Sequence, residues 1–231
     1  MLNTTTPAVS AEVNETRKET TSLPFTAELL TRAHSGRNQA ERFISEGFRQ
    51  AFDARIDNFL PAIIAIKSKD DIKAALGIRS ARTPLFIEQY TKTPVQELPY
   101  FKQKNIKRPN IAEIGNLYSS SSRFTISLFL TMGVALYLNG YSHLVFAGTR
   151  QVVELLNSTG SRTHFLCHAD KSALENEQNS WGCYYQAEPQ VVAVDLFQIM
   201  CVINSNAKYS AMFNRQTPQI AALKEQMFYS L

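Results

Sequence analysis

The most apolar stretch of the chain, residues 125–138 (TISLFLTMGVALYL), lies between two short strand patterns and constrains the fold more than any other feature. Residues 111–117 before it and 143–148 after it have strand-like patterns and lengths. As a helix, residues 125–138 would span roughly 20 Å, which is short of the ~30 Å hydrocarbon core of a bilayer. We therefore expect a buried core helix that packs against the two flanking strands.

The order strand, helix, strand, helix continues beyond this segment. Asn139 and Gly140 predict the end of the first helix, and Thr149 and Arg150 open a second one that runs towards Gly160. Strands joined by helices imply right-handed crossovers, so we expect residues 111–117 and 143–148 to pair in parallel.

The N-terminal half has shorter patterns. Apolar residues at helical spacing predict a helix over residues 41–52 that begins near Gly36 or Arg37. Two apolar runs, 62–66 and 72–79, predict antiparallel strands, although one helix fits the same letters. Further strands are predicted at residues 85–90, 163–166, 181–185 and 191–196, and residues 197–202 either extend the last strand or begin a helix.

These patterns predict an α/β chain, an α+β sandwich with an antiparallel first half and a strand–helix–strand second half. Residues 24–231 read as one domain. Residues 1–23 are rich in Thr, Glu, Asn and Ser and poor in large apolar residues, so we expect a disordered tail. The tail lacks the apolar core of a secretory signal, which favours a cytoplasmic protein or export by another route.

Charge and ligand-type residues exclude some classes of function. The net charge of +4 is modest, and its one cluster lies at residues 102–108, where it suits a solvated connecting loop better than a site for a nucleotide diphosphate or an anionic membrane surface. No nucleic-acid partner is expected. Three cysteines without CxxC spacing indicate reduced thiols. Cys167 and His168 are followed by no second ligand pair at zinc-site spacing, so no metal is expected.

A candidate anion site lies where the first strand meets the apolar helix. Ser119, Ser120, Ser121, Ser122 and Arg123 form a polar loop directly before the helix N-terminus. Hydroxyls, free backbone N–H groups and the partial positive charge of the helix end all favour a phosphate or carboxylate there. The alternative is that Ser121 or Ser122 only caps the helix, and both roles are compatible.

Two polar residues of the strand are candidates for catalysis. Glu113 lies among apolar neighbours, where burial raises the pKa of a carboxyl and suits it to act as a base. The alternative is a carboxylate paired with a nearby Lys or Arg. Asn116 either orients a substrate carbonyl or caps the strand end.

Aromatic residues mark a possible substrate pocket. If residues 85–90 are a strand, Glu88 shares a face with Phe86 and Tyr90. Its carboxylate then either lines the part of a cleft that binds the acceptor substrate or lies at a solvated edge. Trp181, Tyr184 and Tyr185 form an acyl or adenine pocket wall or simply pack in the core.

Several short sequence words carry a resemblance to a known family. They are AALG at 74–77, LFIEQY at 85–90, AEIGNLYSSS at 112–121, VFAGTR at 145–150 and WGCYY at 181–185 followed by Pro189. With them, the chain from about residue 37 to residue 196 resembles the thermostable hemolysin family, and EIGNL and WGxYY are the specific words.

The resemblance implies an acetyltransferase-like mixed sheet with helices on both faces, similar to N-acetyltransferases and acyl-homoserine-lactone synthases. Such proteins bind an acyl thioester between two splayed central strands, here 111–117 and 143–148. The implied ligands are acyl-CoA, an acyl carrier protein thioester or S-adenosylmethionine, with the carrier protein as a possible partner. Arg37 occupies the place of an N-terminal arginine that lies near the adenosylmethionine site in lactone synthases.

The chain also departs from both patterns. Residues 119–123 contain no glycine, where acetyltransferases have a glycine-rich phosphate loop. Lactone synthases have E-x-S-R on the equivalent strand, whereas this chain has Glu113, Ile114, Gly115 and Asn116. An acyltransferase-like protein is the leading hypothesis. The alternatives are a membrane-active hemolysin without catalysis and a degenerate member of the fold that only binds a ligand.

Overall fold

The computed structural model describes residues 25–174 and 180–231, which contain a seven-stranded sheet in the order β1-β2-β3-β4-β5-β7-β6. The strands are β1 (Thr26–Leu30), β2 (Ala62–Ser68), β3 (Asp71–Ser80), β4 (Ile111–Ser119), β5 (His143–Gly148), β6 (Thr163–His168) and β7 (Gln190–Asp195). The helices are α1 (Arg37–Phe52), α2 (Glu88–Thr91), α3 (Pro99–Gln103), α4 (Ser122–Leu138), α5 (Arg150–Ser158), α6 (Leu196–Ser205) and α7 (Ala207–Phe228). The tail predicted at residues 1–23 lies outside the described residues.

Helices cover both faces of the sheet, because alternate residues of each strand point to opposite sides. Ile64 and Ile66 of β2 belong to a core cluster with α4, α6 and α7. Ile63 and Ala65 of the same strand belong to a second cluster with α1. The acetyltransferase-like mixed sheet with helices on both faces is therefore confirmed.

The strand pairing agrees with the predicted division of the chain. β1, β2, β3 and β4 pair antiparallel in sequence, so residues 62–80 form a hairpin and not a helix. β4 and β5 pair in parallel and are connected by the long helix α4. β7 then enters antiparallel between β5 and β6, a position that the strand patterns alone did not specify.

Helix α4 is buried in the core, as the sequence predicts. Most of α4, from Thr125 to Leu136, is buried, and it packs against α6, α7 and the sheet. Among the described helices, none combines the length and the apolar character that crossing a membrane requires.

Two predicted strands are wrong. Residues 85–90 form a turn and the short helix α2, because the N–H groups of Phe86 and Ile87 bond to the Glu113 carboxylate and not to a neighbouring strand. Residues 181–185 form turns that lead into a 3₁₀ helix at Tyr184–Ala187, since the Cys183 N–H bonds to the Phe52 carbonyl. The period-two argument that placed Glu88 on one face with Phe86 and Tyr90 therefore fails.

Three further elements clarify or extend the prediction. Residues 197–202 begin a helix, α6, whose N-terminus is capped by the Asp195 carboxylate through the Phe197 N–H. β1 and α7 were not predicted, yet α7 packs along α4 and against β1. The first described strand and the last helix thus complete one side of the core.

We predict that His143 makes the fold sensitive to mild acid. Burial lowers the pKa of His143, with Lys104 acting in the same direction and Asp195 opposing it. The unfolded chain therefore binds more protons than the folded one below about pH 6.5, and the free energy of unfolding should fall as the pH drops through that value. Urea unfolding at pH 7.5 and pH 5.5 measures this loss.

The substitution His143→Phe should reduce the pH-dependent part of that loss, whatever its effect on stability at pH 7.5. The exposed His34 provides the matched control, His34→Gln. An identical pH dependence in the wild type and in His143→Phe would contradict the prediction.

Candidate active site between β4 and β5

The two central strands part after a short pairing. β4 and β5 pair only at Ile111–His143, Ala112–Leu144 and Glu113–Val145. Beyond this point β4 remains paired with β3 and β5 remains paired with β7. The facing edges of the two strands have no strand partner in the described residues, so backbone N–H and C=O groups border the gap between them.

A cavity of about 180 Å³ occupies this gap. It reaches both faces of the sheet, since Phe146 packs with the α4 side whereas Phe48 packs with the α1 side. Most of the wall is aromatic or aliphatic. The polar side chains that line it are Asn58, Arg79, Glu113, Asn116 and Thr149.

Glu113 is the last β4 residue that pairs with β5, and its side chain lies on the cavity wall. The carboxylate is 1% exposed and accepts hydrogen bonds from the Phe86 and Ile87 N–H groups at 3.0 and 2.7 Å. The Arg79 Nε atom lies 2.9 Å from its Oε2 atom. Burial raises the pKa of Glu113, while Arg79 and the two N–H groups oppose that effect. The structure thus combines both readings of this residue, a desolvated carboxyl and an ion pair.

Asn116 has a left-handed backbone conformation (φ 52°) near an irregularity in the β3–β4 pairing. Its side chain accepts a hydrogen bond from the Leu60 N–H at 3.2 Å and donates one to the Asn58 carbonyl at 3.1 Å. Leu60 packs so closely on β3 that a Cβ atom at Gly77 would lie 2.8 Å from the Leu60 Cβ. Asn116 therefore holds the 58–60 loop over the cavity.

Arg37 does not line the cavity but fixes the same loop from the other side. It is 4% exposed, and its guanidinium donates to the carbonyls of Leu30, Leu60 and Pro61 while its Nε pairs with Glu41. Its assignment to cofactor binding stays a prediction. What the structure shows is an arginine whose donors join β1, α1 and the loop.

Glu88 lies outside the cavity lining and holds the loop after β3 together. Arg108 forms a two-point ion pair with it, at 2.5 and 3.1 Å, and the Leu85 and Val95 N–H groups bond to its oxygens. Burial acts to raise the pKa of Glu88, but these hydrogen bonds and the Arg108 charge outweigh it and lower the pKa. Its predicted contact with an acceptor remains untested.

The aromatic segment at residues 181–185 forms one wall. Trp181 and Tyr184 line the cavity, and Tyr184 packs against Phe48 and Phe52 of α1. Tyr185 stands behind this wall and shares a hydroxyl hydrogen bond with Tyr90 at 2.8 Å. The buried Trp181 Nε1 has no hydrogen-bond acceptor among the residues that the structure describes.

Gly182 fixes this wall to the end of α1. It has φ +49°, and a Cβ atom there would lie 2.1 Å from the Phe52 carbonyl oxygen. The Cys183 N–H donates to that same oxygen, and the Arg55 N–H donates to the Ser180 carbonyl. The chain therefore needs glycine at this close approach.

The serine loop lies beyond the cavity lining. The Ser119 hydroxyl donates to the Ser121 carbonyl, and the Ser120 hydroxyl donates to the Lys73 carbonyl. Ser121 occupies the N-cap position of α4, but its side chain accepts no capping hydrogen bond. In the described part of the chain, the Ser122 and Arg123 N–H groups have no acceptor. The loop's role in cofactor binding stays a prediction.

Sequence reasoning missed several residues of the cavity. The sequence predicts Phe48 and Phe52 only as the apolar face of α1, and no sequence pattern indicates that Arg79 or Phe59 lines a cavity. The spacing of Phe48 and Phe52 reveals a helix face but not whether a core or a cavity lies against it. For a metal, the described residues bring no group of three or more His, Cys, Asp or Glu side chains together.

Comparison with known proteins identifies the family. The family model described as "Thermostable hemolysin" matches residues 30–200, which is most of the chain. The chain belongs to this family. A search of curated protein sequences found no match to this chain.

Solved structures with the same fold include enzymes that handle acyl groups. The N-acyl amino acid synthase FeeM, from uncultured soil microbes, superimposes with a TM-score of 0.53 at 12% identity, covering 76% of this chain and 98% of FeeM. The CoA-dependent acyl-homoserine lactone synthase BjaI with MTA gives 0.50 at 10% identity, covering 83% and 89%. TofI in a ternary complex with an inhibitor and MTA gives 0.53 at 8% identity, covering 77% and 95%. At these identities the likeness establishes an acyltransferase-like fold.

We predict that Glu113→Gln lowers the free energy of unfolding by about 3 kcal/mol, because it leaves the Arg79 guanidinium without its buried counter-charge. Denaturant titration by circular dichroism measures the change. The control is Glu97→Gln, which removes an exposed ion pair with Lys102 and should cost no more than about 0.5 kcal/mol. Equal effects of the two substitutions would show that the Glu113 ion pair is not an anchor.

Proposed function

We propose that this protein is an acyltransferase that takes an acyl group from a thioester and transfers it to an amine. The observation that supports it is the apolar cavity in the gap between β4 and β5. An acyl chain matches walls of Phe, Leu, Ile and Tyr side chains, because apolar surface is favourably removed from water there.

The thioester carbonyl would lie against the unpaired strand edges. Backbone N–H groups that have no strand partner are donors for the charge that develops on the carbonyl oxygen during acyl transfer. The Trp181 indole N–H, buried on the cavity wall without an acceptor in the described residues, is a further donor available to the ligand. Tyr184 stays a neutral hydroxyl, because burial raises its pKa.

In the proposed reaction the amine nitrogen attacks the thioester carbonyl carbon. A C–N bond forms and the C–S bond breaks. The thiolate takes up the proton that the amine has lost and leaves as a free thiol. Glu113 is the proposed base. Its two oxygens offer about four acceptor positions. Two backbone N–H groups donate to them, and the Arg79 Nε atom lies close without a hydrogen bond, so a position remains for an amine proton. A pKa raised by burial suits the transfer.

The other predicted site residues have supporting roles in this proposal. Asn116 and Arg37 would position the 58–60 loop, and Glu88 the loop that carries Phe86 and Ile87. The charged arm of the thioester would lie at the start of α4, on the free Ser122 and Arg123 N–H groups.

The thioester and the acceptor are proposed by chemical class. Acyl-CoA and an acyl carrier protein thioester both present the required acyl group, and the carrier protein would then be a partner. S-adenosylmethionine is a candidate amine acceptor, because two structures with the same fold contain MTA. Acyl thioesters and S-adenosylmethionine are found in the cytoplasm, so we propose a cytoplasmic location for the protein.

We predict that octanoyl-CoA binds saturably and that Ala147→Phe weakens this binding at least tenfold. Ala147 lies on the cavity wall beside the Tyr184 hydroxyl, so the added ring fills space that the acyl chain needs. Isothermal titration measures binding, and release of free coenzyme A thiol in the presence of amine acceptors measures turnover. Titrations with coenzyme A and S-adenosylmethionine complete the set.

The matched control is Ala222→Phe, which places the same ring on the exposed surface of α7 and should bind as the wild type does. Glu113→Gln should retain binding and lose thiol release. If none of the three ligands binds saturably, the proposal is wrong. If binding is equal in both phenylalanine variants, the acyl chain does not occupy the cavity.

A further inference from the structure

A second pocket lies between the N-terminal parts of α4 and α7. It has a volume of about 500 Å³ and shares no lining residue with the cavity between β4 and β5. Arg123 from α4 and Lys208 and Arg215 from α7 line it, together with the apolar side chains of Phe25 and Met212. The Arg123 side chain therefore lies at this pocket and not at the wall of the acyl cavity.

The pocket concentrates positive charge. Arg123, Lys208 and Arg215 are exposed, and none of the three pairs with a carboxylate among the described residues. Two helices also begin beside it, since Arg123 and Lys208 are each the second residue of their helix. The partial positive charges of both helix N-termini add to the three side-chain cations.

A polar side chain adds a hydrogen-bond donor to the pocket. Gln216 lines the pocket and is only 2% exposed. Its Oε1 atom accepts a hydrogen bond from the Thr131 hydroxyl at 2.6 Å, whereas its Nε2 group has no acceptor in residues 25–174 and 180–231. The Nε2 atom itself remains accessible in the pocket, so it is a donor that a bound molecule can use. An acceptor atom in the pocket would satisfy it.

We propose that this pocket, which shares no lining residue with the cavity between β4 and β5, binds a phosphate ester. A single carboxylate carries only one negative charge, which is fewer than the three cations and one amide donor of the pocket could bind. A phosphomonoester carries about −1.5 to −2 charge at pH 7 and three acceptor oxygens, and arginine pairs with it through two parallel hydrogen bonds. Phe25 and Met212 supply apolar surface for the group that the phosphate esterifies.

The same phosphate chemistry occurs in a soluble nucleotide and in a lipid headgroup, and the experiment separates the two sources. The full chain is titrated with inorganic phosphate, with adenosine 5′-monophosphate, and with phosphatidylcholine vesicles that do or do not contain phosphatidic acid. Calorimetry measures binding of the soluble probes, and co-sedimentation measures binding to vesicles. Saturable binding of the nucleotide supports a soluble ligand, and binding to phosphatidic acid vesicles alone supports a headgroup.

The double variant Arg123→Gln/Arg215→Gln should weaken binding of the supported probe at least tenfold, and Gln216→Met should weaken it several-fold. The matched control is Lys224→Gln, which removes one exposed cation near the far end of α7 and should change binding less than twofold. Ala147→Phe should leave phosphate binding unchanged, which separates this site from the acyl cavity. The absence of saturable binding for all probes, or equal weakening by Lys224→Gln, would overturn the proposal.

Discussion

The buried Glu113 carboxylate is the interaction on which the candidate active site depends. Its backbone makes the last pairing between β4 and β5, so the strands separate directly after it. Its side chain binds the N–H groups of Phe86 and Ile87, whose residues form part of the cavity wall, and it pairs with Arg79 of β3. One carboxylate thus marks the point where the gap opens and holds three segments around it.

The polar residues near the cavity are mostly used to hold loops. Asn116 and Arg37 both bind backbone atoms of the loop at residues 58–61, and Glu88 binds Arg108 and two backbone N–H groups. Buried polar groups that are fully hydrogen-bonded make a structure specific and rigid. The donors left for a ligand therefore include backbone groups on the strand edges, the Trp181 indole and the Arg79 Nε–H. This suits a site that acts on a carbonyl and an apolar chain.

The sequence predicts the framework well because each of its main elements has a clear period. The apolar segment of α4 and the strand patterns on either side of it specify the parallel pair, and the phenylalanines of α1 specify a helix. The strand predictions for residues 85–90 and 181–185 are wrong for the same reason. Backbone N–H groups of the first segment bond to Glu113, and that of Cys183 in the second bonds to the Phe52 carbonyl. No local sequence pattern reveals such distant partners. Four of the predicted site residues lie together around the cavity: Glu113, Asn116, Trp181 and Tyr184. Arg123 instead lines a pocket beside α7, a helix that the sequence patterns did not indicate.

The contact of Gly182 with the end of α1 has a mechanical consequence. The glycine leaves no space for a side chain between the two backbones, and hydrogen bonds from Arg55 and Cys183 tie them together. The aromatic wall and the C-terminal turn of α1 are therefore joined through their backbones. Because α1 packs on β3 and β4, the width of the cavity on this side depends on how that helix lies on the sheet.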